Sequence, residues 1–138
     1  MIEYTKFQKA LKHLELQYEN YKNLDNTLPE ITQEAVAESV IQRFETCYDC
    51  LWKVLKRYLS EELGLPELPN SPKPIFRIGA ENQIFSSSIV QWLNYADARI
   101  ATSHDYSGEK ADEVLAVIEC FIDDAVGLYQ AMSSDTWE

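Results

Sequence analysis

From Thr32 to Gly64 the chain carries one unbroken apolar stripe at helical spacing, and this stripe limits the fold more than any other feature. Val36, Val40, Phe44, Cys47 or Tyr48, Leu51, Val54 or Leu55, and Tyr58 or Leu59 recur every three or four residues. The spacing predicts a helix that opens at Thr32 as N-cap, with Glu34 in its first turn, and stops at Gly64 with Pro66 beyond. About 31 residues at 1.5 Å each give a rod of roughly 45 Å. A rod that long needs a long antiparallel partner helix or a second subunit to cover its apolar face.

The rest of the chain supplies such partners. Tyr4, Phe7, Leu11, Leu14, Tyr18 and Tyr21 step by three and four, which predicts a one-sided helix from about Tyr4 to Leu24. His13 falls off that stripe and is expected to face solvent. Residues 65–74 are rich in proline and form the one linker; Ser71-Pro72 then reads as an N-cap with proline at the first helical position. A short helix from Pro72 to about Gly79 follows, with a possible continuation to Phe85. Ser86-Ser87-Ser88 offers caps for a fourth helix carrying Ile89, Trp92, Leu93, Tyr95, Ala96 and Ile100. Ser107 is expected to cap the last helix, whose apolar set runs from Val114 to Tyr129. No alternating β pattern lasts long enough to compete. The expected fold is all-α: an up-and-down four-helix bundle with an additional short helix, residues 1–138 making a single domain.

Charge narrows the function. The net charge is −11 over 138 residues. That opposes nonspecific adhesion to nucleic acid, which rests on neutralising phosphates, though a local basic pocket stays open. Asp105 to Glu138 holds nine carboxylates and one lysine, whereas Lys53, Lys56, Arg57, Lys73 and Arg77 lie earlier. The acidic stretch reads foremost as a solvated helix face, and otherwise as a contact for a basic partner. No apolar run suits a bilayer crossing and the start of the chain lacks a signal peptide's apolar region, so a cytoplasmic protein is expected, with neither membrane nor DNA as partner. Cys47 and Cys50 form a CxxC inside a helix pattern with no second pair, which suits small buried thiols better than metal or redox work. No metal and no cofactor is expected.

One short stretch carries chemistry. Arg99-Ile-Ala-Thr-Ser-His104-Asp-Tyr106 joins a permanently charged fork of donors to a group that titrates near neutrality and to a phenol. On a regular helix Arg99 and His104 point about 140° apart, while Arg99 shares a face with Thr102 and Ser103. His104 is therefore expected at the end of the fourth helix, where a bend brings it and Tyr106 beside the arginine. Asp97 stands ready to orient Arg99 or the histidine. Trp92 and Tyr95 are the aromatics close enough to wall a pocket. The plainer alternative pairs Arg99 with Asp97 or with a carboxylate of the last helix, and lets His104 simply end a helix. Trp137 is expected to be disordered or to dock on a partner.

The string Trp92-Leu-Asn-Tyr95-Ala-Asp97-Ala-Arg99-Ile-Ala-Thr-Ser103-His104-Asp-Tyr106 resembles the motif region of the HEPN superfamily. It is most similar to the branch of nucleotidyltransferase substrate-binding proteins, which reads W-x-x-Y-R-D-x-R-N-x-x-S-H-x-Y. The resemblance implies a helical bundle that forms a homodimer with its motifs facing. It also implies a separate minimal nucleotidyltransferase as partner, in a system like a toxin and its antitoxin. Some members are metal-independent endoribonucleases. By that resemblance Arg99 holds the scissile phosphate and His104 acts as acid or base on the ribose hydroxyl and leaving oxygen. Tyr106 is the modification site or a phosphate donor, and Asp97, Ser103, Trp92 and Tyr95 complete the binding site. Two positions depart from the pattern: Ile100 replaces the asparagine after the arginine, and Ala96 replaces the arginine before the aspartate. Both departures lower the expectation of RNA cleavage without removing a pocket. A binding subunit for a nucleotide or RNA, serving the transferase, is the first expectation. A ribonuclease toxin is the second, and a purely structural adaptor the third.

Overall fold

The computed structural model describes residues 2–103 and 109–137. His104, Tyr106 and the Ser107 cap lie outside the described residues. Five helices account for the architecture: α1 Thr5–Lys22, α2 Glu30–Glu61, α3 Pro72–Glu81, α4 Ile89–Thr102 and α5 Glu109–Ser133. No strand occurs among the described residues. The four long helices form the expected bundle, with α3 as the short extra element.

Side-chain pairs give the directions. Lys6 shares a cleft with Lys53, and His13 meets Arg43 at 3.3 Å, so α1 runs antiparallel to α2. Tyr4 donates to the Met132 carbonyl at 3.2 Å and Tyr18 to Glu119 at 3.3 Å, so α5 also runs antiparallel to α1. Phe44, Tyr48, Phe76, Trp92, Tyr95 and Phe121 are all buried and meet edge to face or tilted, knitting α2, α3, α4 and α5 into one aromatic core. Such pairs add about 0.5–1.5 kcal/mol each beyond the area they bury.

The long α2 stripe behaves as its spacing requires: Val40, Phe44, Cys47, Leu51, Leu55 and Leu59 are fully buried. Its start differs from expectation. The helix begins two residues before Thr32, because the Pro29 carbonyl accepts the amides of Thr32 at 2.9 Å and Gln33 at 3.1 Å. The Gln33 side chain also donates back to the Leu28 carbonyl at 2.8 Å, which ties the turn without a side-chain cap. At the other end Gly64 adopts φ +67°, so the chain folds back and the Leu65 amide reaches the Leu59 carbonyl at 3.1 Å.

Ser71 and Pro72 open α3 as the sequence suggests. The helix runs to Glu81, and the suggested continuation to Phe85 is broken at Gln83, whose φ is +58°. That turn lays Phe85 back on Trp92, with ring centroids 4.3 Å apart and nearly parallel. The Ser88 hydroxyl accepts the Gln91 amide at 3.4 Å and caps α4. Trp137 is neither disordered nor free for a partner. Its indole donates to the Glu15 carboxylate at 3.2 Å, packs edge-on against Tyr129 and takes Lys12 over its ring at 4.5 Å. Among the described residues no helix is long and apolar enough to cross a membrane.

Candidate functional site

The site is built where the buried stripe of α4 turns polar. Trp92, Tyr95 and Ala96 face the core, and the same face continues through Arg99 to Thr102. Arg99 sits in the last turn of α4, where the helix dipole favours a cation, and its side chain stretches across to α2. There Glu45 and Asp49, four residues apart and so on one helix face, receive it. Nε and Nη2 donate to the two oxygens of Asp49 at 3.3 and 3.2 Å, and Nη1 donates to Glu45 Oε2 at 3.1 Å. The Thr102 hydroxyl lies 2.8 Å from that same Glu45 oxygen and 2.8 Å from the Arg99 carbonyl. Arg99 keeps about a quarter of its side chain exposed (27%).

Two carboxylates thus face one guanidinium. Burial works against the charge on Arg99, but the hydrogen bond and charge of Asp49, then the charge of Glu45, outweigh it and hold the guanidinium above its ordinary value. The planar fork fits a carboxylate or a phosphate equally well, because both offer paired oxygens to parallel N–H groups.

Arg99 opens on a cavity of about 590 Å³ between α2, the start of α3 and the end of α4. Tyr48 and Ala96 form its apolar wall; Lys73, Asp49, Arg99 and Ser103 supply its polar groups. Ile100, half exposed, lies at its edge. Lys73 is tied to Asp97 at 2.7 Å.

Of the sequence-derived candidates, the structure brings Arg99 and Ser103 to one cavity. Asp97 takes Lys73 rather than Arg99, because it points off the buried face of α4 while Glu45 and Asp49 lie directly opposite the arginine. The plainer alternative is corrected in the same way: the carboxylates that hold Arg99 come from α2, not from Asp97 or α5. Trp92 and Tyr95 are not pocket walls. Trp92 is 1% exposed under Phe85, and its indole N–H has no partner among the described residues. Tyr95 is fully buried and donates its hydroxyl to Asp124 on α5, which also accepts Ser87 at 2.5 Å. Burial, then the bond to Asp124, pushes the Tyr95 phenol far above its ordinary range. Both aromatics sit on the inner stripe of α4, so they serve the core. His104 and Tyr106 lie outside the described residues; α4 does end at Thr102, with Ser103 as its C-cap.

The residues that sequence reasoning missed are Glu45, Asp49, Tyr48 and Lys73. For the first two the only signal is their spacing: Glu45 and Asp49 are carboxylates four apart that adjoin the core positions Phe44 and Tyr48, a pattern an ordinary solvated face also shows. Among the described residues no group of His, Cys, Asp and Glu converges in a way that suits a metal ion.

The fold and the site define a helical bundle with an arginine-bearing cavity at the end of its fourth helix. The chain belongs to the family of nucleotidyltransferase substrate binding protein like domains, which it matches over residues 2–134. It is 29% identical over 107 residues to the probable ribonuclease HepT of Haemophilus influenzae, a span of 73% of this chain and 70% of that protein. Its fold is similar to that of Haemophilus influenzae HI0074, whose structure revealed the fold of a substrate binding domain of a nucleotidyltransferase. The TM-score is 0.82 at 27% identity, covering 92% of this chain and 96% of that one. A protein of Thermus thermophilus is also similar, with TM-score 0.66, 26% identity and coverage of 93% and 97%.

Proposed function

We propose that this chain is a binding subunit, acting as one domain and as a homodimer in the cytoplasm, that holds a phosphate-bearing ligand at Arg99 for a separate minimal nucleotidyltransferase. The observation that carries this reading is the Arg99 fork at the mouth of the 590 Å³ cavity, held in place by Glu45 and Asp49. A nucleotide or RNA phosphate would take over the fork, with Lys73 across the cavity as a second cation. Asp97 would set the position of Lys73, Ser103 would add a hydroxyl, and Trp92 and Tyr95 would support the helix from behind.

One observation favours binding over cleavage: Ile100 and Ala96 stand at the cavity, at the two positions where the motif that the chain resembles has an asparagine and an arginine. Arg99 faces two carboxylates, which a phosphate must displace in either reading. The likeness to a probable ribonuclease supports a second reading, a metal-independent endoribonuclease. In it Arg99 would hold the phosphate, His104 would shuttle the proton, and modification of Tyr106 by the partner would silence the enzyme.

Expression of the wild type and of His104→Ala without any partner separates the two. The binding subunit is expected to leave growth and total RNA intact, and to co-purify with a minimal nucleotidyltransferase in a manner weakened by Arg99→Ala. Growth arrest with cut RNA in the wild type alone would give the chain to the nuclease reading.

A further inference from the structure

Arg99 is not the only cation beside a cavity. A second cleft of about 380 Å³ lies between α1 and α2, floored by Phe7 and Val54 and rimmed by Lys6, Lys53 and Arg57. It is continuous in lining with the first, because Asp49 borders both. Along α2, Lys53 stands about 6 Å and Arg57 about 12 Å beyond Asp49 at 1.5 Å per residue.

The charges in this cleft are unevenly matched. Arg57 pairs with Glu61 at 2.9 Å, and Asp49 pairs with Arg99 until a ligand takes the fork and leaves it free at the border of both cavities. Glu3 accepts the Thr5 hydroxyl and keeps its charge at the rim, so the lysines must outweigh it. Lys6 and Lys53 have no ion-pair partner among the described residues, and both are exposed. Other exposed cations among the described residues, such as Lys9 and Arg77, also lack an ion pair, but Lys6 and Lys53 are the two that meet at one cleft, with Lys53 also lying 5.9 Å from the Trp52 ring. Lys6 comes from the first turns of α1 and Lys53 from the middle of α2, so the fold, not one run of sequence, creates the pair. Cys50 lines the same cleft half-buried, and burial, helped by Asp49, holds its thiol above its ordinary value against the pull of Lys6 and Lys53.

We propose that the α1–α2 cleft is a second anion subsite, in which Lys6 and Lys53 hold a further phosphate of the ligand anchored at Arg99. This rests on the reading of the Arg99 cavity as a phosphate site. The shared chemistry is a run of phosphates, supplied by an RNA strand or by a nucleoside triphosphate. No exposed aromatic lines the cleft, so it reads phosphate and not base.

The test uses full-length protein, fluorescein-labelled decauridylate and ATP. Anisotropy titrations across a salt series compare the wild type, Lys6→Gln/Lys53→Gln and Arg99→Gln, with circular dichroism checking the fold of each. The lysine pair is expected to weaken binding about tenfold. It should also flatten the dependence of log affinity on log salt by about 1.4, the contribution of two single-strand phosphate contacts. Bound ligand is expected to slow N-ethylmaleimide labelling of Cys50 several-fold, with exposed Cys120 as the internal reference. Protection by decauridylate alone assigns the subsite to a strand, and protection by ATP alone assigns it to a nucleotide. Binding lost in Arg99→Gln but unchanged in the lysine variant, with Cys50 unprotected, overturns the subsite and leaves the Arg99 cavity standing. Binding lost in the lysine variant but untouched by Arg99→Gln overturns the Arg99 reading and the linkage proposed here. No binding of either probe overturns both.

Discussion

At the scale of single residues, the informative group is the arginine that is not free. Arg99 makes three hydrogen bonds to Asp49 and Glu45, each about 3.1–3.3 Å long. Bonds to charged partners contribute about 1.5–3 kcal/mol in general, and a carboxylate left facing another carboxylate loses more than the bond itself. A ligand phosphate must therefore compete with Asp49 for the fork. Glu45→Gln/Asp49→Asn removes both competing charges and keeps both shapes. It is expected to tighten binding of decauridylate several-fold; unchanged or weaker binding would mean that the carboxylates build the site rather than mask it. Arg99 itself was visible in the sequence because its string of neighbours is distinctive. Its partners were not, since Glu45 and Asp49 are 50 or more residues away and only packing sets them opposite.

The phenols give a second measurable consequence at this scale. Burial, then the nearby charge of Glu62, pushes Tyr4 up to about 12, and burial, then Glu119, pushes Tyr18 up to about 12. A phenol that loses its proton less readily when folded leaves stability intact below pH 10, its ordinary value, and costs stability as pH rises from 10 through 12. The melting temperature is expected to fall across that window. The fall should be shallower in Tyr4→Phe/Tyr18→Phe. An identical slope in both proteins would exclude these two groups as its source.

At the scale of elements, helix existence is legible and helix ends are less so. Spacings of three and four residues survive into all five helices because each buries one face. The start of α2 moved from Thr32 to Glu30 because a proline carbonyl, not a hydroxyl, organises its first turn. Phe85 left the α3 pattern for a similar reason: a turn at Gln83 lets it stack on Trp92. That return makes Gly79 a close-approach position. A Cβ there would lie 3.0 Å from the Phe85 ring and 3.2 Å from Ile84. Phe85 is pinned by Trp92 behind it, so it has little room to retreat. Gly79→Ala is expected to cost about 1–3 kcal/mol by overpacking, despite alanine's better helix propensity. Urea denaturation measures this, and a variant at least as stable as the wild type would show that the Phe85 turn yields freely. The same packing explains why Trp92 and Tyr95 misled the site reading. Proximity in sequence to Arg99 put them near the motif, but the inner face of α4 turns them into the core.

At the scale of the molecule, two forces of opposite salt dependence meet on one bundle. The exposed side of α4 carries Val90 and Ile100 at 64% and 51% exposure, about three turns apart, with Asp97 one turn before Ile100. Isolated exposed apolar residues are ordinary. These two lie on a helix whose end holds the Arg99 cavity, and Ile100 borders that cavity directly. A homodimer that covers this face would bring two cavities together. Each copy carries a net charge of −11, so like-charge repulsion opposes the association at low ionic strength and fades as salt shortens the screening length to about 8 Å at 0.15 M. Self-association is therefore expected to strengthen as salt rises from about 0.02 to 0.3 M, over the same range in which phosphate binding at Arg99 and Lys53 weakens. Sedimentation velocity at roughly tens of micromolar should find a species of twice 15.9 kDa. Ile100→Asp should return it to the monomer mass, because the substitution places a second carboxylate near Asp97 on the face to be buried. A wild type that stays monomeric throughout the salt series removes the dimer. A dimer indifferent to Ile100→Asp moves the interface elsewhere, with exposed Ile31 at the start of α2 as the next surface to substitute.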